Sequence, residues 1–342
     1  MIVESLFKSI ERGKAGRNIG LSTGMPLLDS VTYGTQQGWF SVYGGDSGSG
    51  KSSLCLYTKV YRPYMEYIKS GRTLKVAWLL FSFEMSGEVV LSKLLSTYVY
   101  EKYNKVLSYS DILSFSKPIS TKDYEMLLDA KSWLEELESL CTIVDKPVNA
   151  DGLYAECKEW SRKFGKYTPI GTHKEMYELN DPQQYLIVIV DHIKLLSTST
   201  GNQIKQEIDK ACDYLIYFRN KCKFCVNVVQ QLNRNFKSMA RRMDAGGQYS
   251  SIQLDDFSDS SGPIQAAEVV YAIFHPYREK MSRCEGYDVR QLKDRLRILS
   301  VLKNRFGLAD KGVGAVFYGE NSLWKELPAP DAINDYQQYL NL

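Results

Sequence analysis

The run Gly45-Asp46-Ser47-Gly48-Ser49-Gly50-Lys51-Ser52 fits G-x-x-x-x-G-K-[ST] and follows an apolar segment at 39–43. It reads as a phosphate-binding loop between a strand and a helix. Glycines there let backbone N–H groups turn inward around a triphosphate, the helix start adds partial positive charge, and Lys51 reaches the outer phosphates. Ser52 is placed to hold Mg²⁺. Gly45, Ser47, Gly48, Ser49, Gly50, Lys51, Ser52 and Ser53 are therefore the expected nucleotide contacts, with ATP and Mg²⁺ as the expected cofactors.

A chain of 342 residues has room for one large α/β domain or two, and an apolar content of 44% supplies a core. No run of 18 apolar residues occurs, and the charged start (Glu4, Lys8, Glu11, Arg12, Lys14) has no signal-peptide core. No membrane association is expected. Seven scattered cysteines speak against a disulfide framework and for a reducing compartment, with the cytoplasm as the default. Cys222 and Cys225 form one C-x-x-C with no second pair, so zinc is not expected. The net charge of +3, from 43 basic and 40 acidic residues, says little alone. Its distribution says more. Residues 221–243 hold Lys221, Lys223, Arg234, Lys237, Arg241 and Arg242 with no acid, which suits a solvated surface or an anionic partner.

A helix is expected over 51–68 and a strand, apolar on both faces, over 74–83. Helices follow over 87–103 and 123–140, then a short strand over 141–144 and a helix over 149–164. The stretch 165–184, rich in Gly, Pro, Thr and Asn, reads as a loop or small insertion. A buried strand over 185–190 ends at Asp191. A helix over 204–220 and strands over 224–229, 269–274, 296–302 and 314–318 complete the pattern. The expected fold is α/β, a mostly parallel twisted sheet with an antiparallel extension and helices on both faces. The domain plan is an N-terminal arm or linker helix over 1–20, one ATPase domain over 21–328 and a tail over 329–342. The short helix at 3–12 either packs on a neighbouring subunit or caps its own domain.

Nucleotide hydrolysis needs a metal ligand, a group that orients water, and positive charge at the leaving phosphate. Asp191 closes an apolar strand, which in a parallel sheet puts its carboxylate beside the phosphate loop. It is the expected Mg²⁺ ligand with Ser52, through water; the plain alternative is a solvated strand-end acid. Glu84 lies just past the strand over 74–83 and would polarise the attacking water. The alternative there is an acid favoured at a helix start.

Phe81-Ser82-Phe83-Glu84-Met85-Ser86 resembles the F-S-L-E-M-S segment of DnaB-type replicative helicases, and Gln231-Leu232-Asn233-Arg234 resembles that family's Q-L-N-R. Ser261-Gly262 through Ala267-Glu268-Val269-Val270 is similar to S-G-S-I-E-Q-D-A-D-V-V, one residue shorter. Lys303-Asn304-Arg305 matches K-x-R, and Thr23-Gly24 with Leu28-Asp29 follows T-G-x-x-x-L-D. These blocks occur in family order over 21–327. The resemblance implies a RecA-like core, with Glu84 as catalytic carboxylate and Gln231 as γ-phosphate sensor. It implies that Lys303 and Arg305 reach the ATP site of the next subunit, Arg305 as an arginine finger. It further implies a hexameric ring that moves on single-stranded DNA and unwinds duplex during replication; primase docking and ring loading belong to the family's N-terminal domain, so a primase or loader is a partner that the ATPase domain alone does not imply. Loops at 197–203 and 235–262 would then face the DNA, with Lys237, Arg241 and Arg242 as phosphate contacts; Phe236 and Tyr249 offer rings for stacking on bases, though for Phe236 packing in the core is the favoured reading.

The chain departs from the family pattern in several places. Lys93 stands where the family tends to have an arginine on the γ-phosphate, and loses the bidentate fork. His192 and Lys194 replace Tyr and Gln, read as a tolerated change. Asp256-Phe257-Ser258-Asp259-Ser260-Ser261-Gly262 lacks the arginine of D-L-R-E-S-G. The family's helical N-terminal domain is expected to be absent, a stripped form that would suit a phage replication system. Two other readings stay open, a RecA-like recombinase filament and an accessory or loading ATPase that does not unwind.

Overall fold

The computed structural model describes residues 2–171, 175–199, 201, 203–233, 252–257, 262–309 and 311–340. Apolar runs with no polar alternation need cover on both faces, and they form the middle of one sheet. The strands are β1 (Phe40–Gly45), β2 (Val76–Ser82), β3 (Cys141–Val144), β4 (Gly165–Pro169), β5 (Glu175–Leu179), β6 (Tyr185–Asp191), β7 (Cys225–Gln231), β8 (Val269–Phe274), β9 (Arg283–Cys284), β10 (Tyr287–Asp288), β11 (Leu296–Asn304), β12 (Lys311–Tyr318) and β13 (Leu323–Glu326). Nine of them form one sheet in the order β13-β12-β11-β8-β1-β7-β6-β2-β3. The run from β8 to β3 is parallel, and β11, β12 and β13 are added antiparallel. This is the expected sheet with its extension.

Strand periodicity sends Val76, Trp78 and Leu80 into one core and Ala77, Leu79 and Phe81 into the other. The first face is covered by the helical run 51–69 and the helices Gly87–Tyr103 and Lys131–Leu140. The second is covered by Ala150–Arg162 and Ile204–Cys222. In the helical run, a π turn at Tyr57–Tyr61 separates the α segments Lys51–Leu56 and Arg62–Lys69. Widening the turn helps free the Lys59 carbonyl, which accepts the indole N–H of Trp78 at 2.7 Å. The helix after the phosphate loop is thereby pinned to β2.

Three expectations need correction. The stretch at 165–184 contains an antiparallel pair, β4 with β5. Its Gly, Pro and Thr content masked an alternation that turns Tyr167 and Tyr177 toward each other, rings 4.7 Å apart. The single helix at 123–140 is two, Thr121–Asp129 and Lys131–Leu140, with buried Ala130 at the break. The sheet also has one more edge strand, β13, too short to announce itself. Beyond β13, Ile333, Tyr336 and Tyr339 pack on the core.

Candidate nucleotide site at the strand ends

Four adjacent parallel strands end together. Gly45 of β1 pairs with Gln231 of β7, Asp191 of β6 pairs with Val229 of β7, and Ser82 of β2 pairs with Asp191. Ligands of open α/β sheets bind at such carboxyl ends. The phosphate loop turns out of β1 with Gly48 at φ 68° and Gly50 at φ 100°, left-handed values that a Cβ would strain. Lys51, Ser52 and Ser53 start the helix, where N–H groups lack intrahelical partners and point toward the loop's hollow.

Lys51 is buried, and its Nζ donates to the Asp46 carbonyl at 2.8 Å. Burial pushes its pKa down, against the pull of Glu84, Asp46 and Asp191. Ser52 Oγ donates to Asp191 Oδ1 at 2.9 Å. Asp191 is 5% exposed, and its Oδ2 has no hydrogen-bond partner among the described residues. Burial raises its carboxyl to about 6, opposed by the Ser52 hydrogen bond. A hydroxyl and a half-satisfied carboxylate are an all-oxygen donor pair, suited to a hard cation that also binds phosphates. No cluster of three metal-ligating side chains exists among the described residues. Such a site would need the phosphates to complete it.

Glu84 lies exposed two residues past β2, in a turn closed by Ser82 Oγ donating to the Met85 carbonyl at 2.6 Å. Its charge acts on Lys51, Lys93, Asp191 and His192, so all five groups share one neighbourhood. Lys93, on the helix Gly87–Tyr103, has its pKa lowered by burial, while Asp191 and Glu84 pull it back up. The Ser53 hydroxyl faces elsewhere: it accepts the Trp324 indole N–H at 3.3 Å and donates to the Ser322 carbonyl at 3.4 Å. What Ser53 offers the loop is its backbone N–H. Ser49 Oγ is buried without a partner among the described residues.

Three residues at the site escaped the sequence reading. His192, a tolerated change by the family pattern, stands at φ 66° in the neighbourhood of Glu84 and Gln231. Arg278 Nη1 donates to the Ser47 carbonyl at 2.7 Å. Arg297 Nε donates to the Ser49 carbonyl at 2.9 Å, from a position 3% exposed. An arginine inside the apolar run LRILSVL was a visible signal, because a buried guanidinium must bond to something.

Lys303 and Arg305 lie at the other end of the sheet. Asn304 pairs with Val269 at the start of β8, and Val269 pairs with Ser41, four residues before Gly45. That is about 13 Å along the strands, beyond the reach of an arginine to its own phosphate loop. The DNA candidates Lys237, Arg241 and Arg242, with Phe236 and Tyr249, lie outside the described residues.

The model of the DnaB-like helicase C-terminal domain family matches residues 20–323. The chain is similar to a solved structure of an isolated ATPase domain, at 18% identity over 96% of this chain and 99% of that one, TM-score 0.71. It is also similar to a DnaB-like replicative helicase described with its interactions with primase, TM-score 0.68, 18% identity and 95% coverage of this chain; it spans 66% of that protein. No curated protein matches it in sequence. With that match over most of its length and a RecA-like sheet beneath it, the chain belongs to the DnaB-like helicase C-terminal domain family, the ATP-hydrolysing motors of replicative helicases.

Proposed function

We propose that this chain hydrolyses ATP at seams between copies of itself, as a ring-forming motor that translocates on single-stranded DNA. One observation carries the reading. The phosphate loop, Asp191, Glu84, Lys93 and Gln231 gather at the carboxyl ends of the parallel strands, whereas Lys303 and Arg305 sit at the opposite edge. A single copy therefore holds Lys303 and Arg305 out of reach of its own cradle. A neighbouring copy supplies the positive charge that hydrolysis needs, and a hexameric ring closes the series.

In this reading Ser52 and Asp191 would hold Mg²⁺, and a divalent cation there would supply positive charge beside the phosphates. Lys51 and the backbone N–H groups of 48–53 bind the phosphates, with Lys93 beside them. Glu84 accepts the proton of the attacking water, and Gln231 senses the γ-phosphate next to Gly45. Single-stranded DNA is assigned to the segment holding Lys237, Arg241 and Arg242. A primase is the partner that the second structural likeness suggests. The domain plan is an arm at 1–20, the motor at 21–328 and a tail at 329–342.

The test is Arg305→Ala, measured with dilution of the native protein. Turnover should fall roughly 10³-fold or more with nucleotide affinity unchanged, and native specific activity should drop as copies separate. Full activity in Arg305→Ala, or in a dilute monomer, overturns the split site. Strand displacement on a forked duplex identifies the motor; strand exchange would identify a recombinase instead.

A further inference from the structure

Glu268 sits one residue before the apolar strand β8, and a buried carboxylate there must be matched by donors. It accepts the Phe40 N–H at 2.6 Å, Arg219 Nη1 at 2.9 and 3.2 Å, and Arg305 Nη1 at 3.3 Å. Arg305 Nη2 also donates to the Gln265 carbonyl at 2.8 Å. Lys303 Nζ donates to the Ile264 carbonyl at 2.7 Å and to the Gln265 carbonyl at 3.3 Å. Both bases thus rest on the last turn of the helix Gly262–Ala266, whose terminal carbonyls have no helical partners of their own. A bulge in β11 between Val301 and Lys303 aims the two side chains there.

Two features separate holding from sequestering. Arg305 has five N–H groups and spends one on Glu268 and one on Gln265 among the described residues. Its side chain remains 45% exposed. Its outer donors are therefore open to an anion. The charge also stays uncancelled, because one carboxylate faces both Arg219 and Arg305, leaving a net positive pair with Lys303 alongside. Arg219, at 13% side-chain exposure and 2.9 Å, takes the larger share of that carboxylate.

We propose that Glu268 is a positioning residue: with the Gln265 carbonyl it holds Arg305 and Lys303 in register for the phosphates bound by a neighbouring copy. This rests on the reading that the two bases act in trans. Without the carboxylate, Arg219, Arg305 and Lys303 face one another with no counter-charge, and the finger leaves its place. A misplacement of about 1 Å at a reacting centre costs up to roughly 10²-fold in rate.

The experiment mixes subunits. Glu268→Gln should lower DNA-stimulated turnover by roughly 10- to 100-fold with the KM for ATP unchanged, since the cradle is intact. Mixing it with Lys51→Ala, which has a dead cradle and a sound finger, should restore activity at the mixed seams. A defect of folding alone would not be rescued this way. The double variant Glu268→Gln with Arg219→Gln removes both buried charges together, protects the fold, and should show the same loss and the same rescue. Wild-type turnover in either variant overturns the proposal. So does a loss that Lys51→Ala fails to rescue while it does rescue Arg305→Ala. If Arg305→Ala itself is not rescued, the trans reading fails, and the positioning role falls with it.

Discussion

At the scale of single residues, Asp191 shows what a buried, half-satisfied carboxylate costs its fold. The carboxylate is buried, shares one oxygen with Ser52 and leaves the other unbonded among the described residues, and burial raises its pKa from 3.8 to about 6. The folded carboxyl holds its proton more tightly than the unfolded one. Its contribution to stability therefore falls as pH rises from the ordinary value toward about 6, and stays low above that. Asp191→Asn should stabilise the nucleotide-free protein at pH 7 by on the order of 1–3 kcal/mol while abolishing turnover. The gain should vanish near pH 4, where the native carboxyl is already protonated in the fold. Thermal melts at the two pH values check this. An unchanged or lower melting temperature at pH 7 would show that the carboxylate is already matched. The lesson for the sequence is mixed: Asp191 was visible as the last residue of an apolar strand, but His192 was not, because its backbone at φ 66° decides where the ring goes.

At the scale of elements, the antiparallel extension fastens the phosphate loop. Arg297 of β11 donates to the Ser49 carbonyl, and also to the carbonyls of Asp294 and Leu296 at 2.6 and 2.9 Å. Phe317 and Trp324, stacked at 4.5 Å, close over Gly50. Burial lowers the Arg297 pKa to about 10, so the cation persists at neutral pH. Arg297→Met leaves buried carbonyls unpaired, a loss of about 1–3 kcal/mol. Nucleotide affinity should fall roughly 10-fold, since 1.4 kcal/mol is a factor of ten, with secondary structure kept. Titration with a fluorescent nucleotide reads it, and unchanged affinity would mean the loop holds its own shape.

At the scale of the whole molecule, the helix Ile2–Lys14 presents Val3, Leu6, Phe7 and Ile10 on one stripe, each more than half exposed. An i, i+3, i+4, i+7 stripe of this size without cover marks a surface that expects a partner. A second copy is the occupant that the split site calls for. On the proposed split site, Phe7→Glu with Ile10→Glu should shift the protein toward monomer in light scattering and lower ATP turnover in step. Retained assembly with full turnover would place the contact elsewhere.

The sequence by itself determined the class of fold and that the phosphate loop and the acids past its neighbouring strands lie together. Glycine spacing, a lysine, and acids ending apolar strands are local properties, set by backbone freedom and by which residues tolerate burial. A mostly parallel sheet with an antiparallel extension was legible too, since apolar runs without alternation demand cover on both faces; the order of its strands was not. Only the tertiary structure decided what long side chains bridge and what each end of the sheet faces. The reach of Arg297 to Ser49, the shared carboxylate of Glu268, and the hairpin at Gly165–Pro169 and Glu175–Leu179 join residues far apart in sequence, or an alternation that turn-forming residues obscured. Above all, β11 runs against the parallel strands, and that reversal carries Lys303 and Arg305 away from the phosphate loop of their own chain.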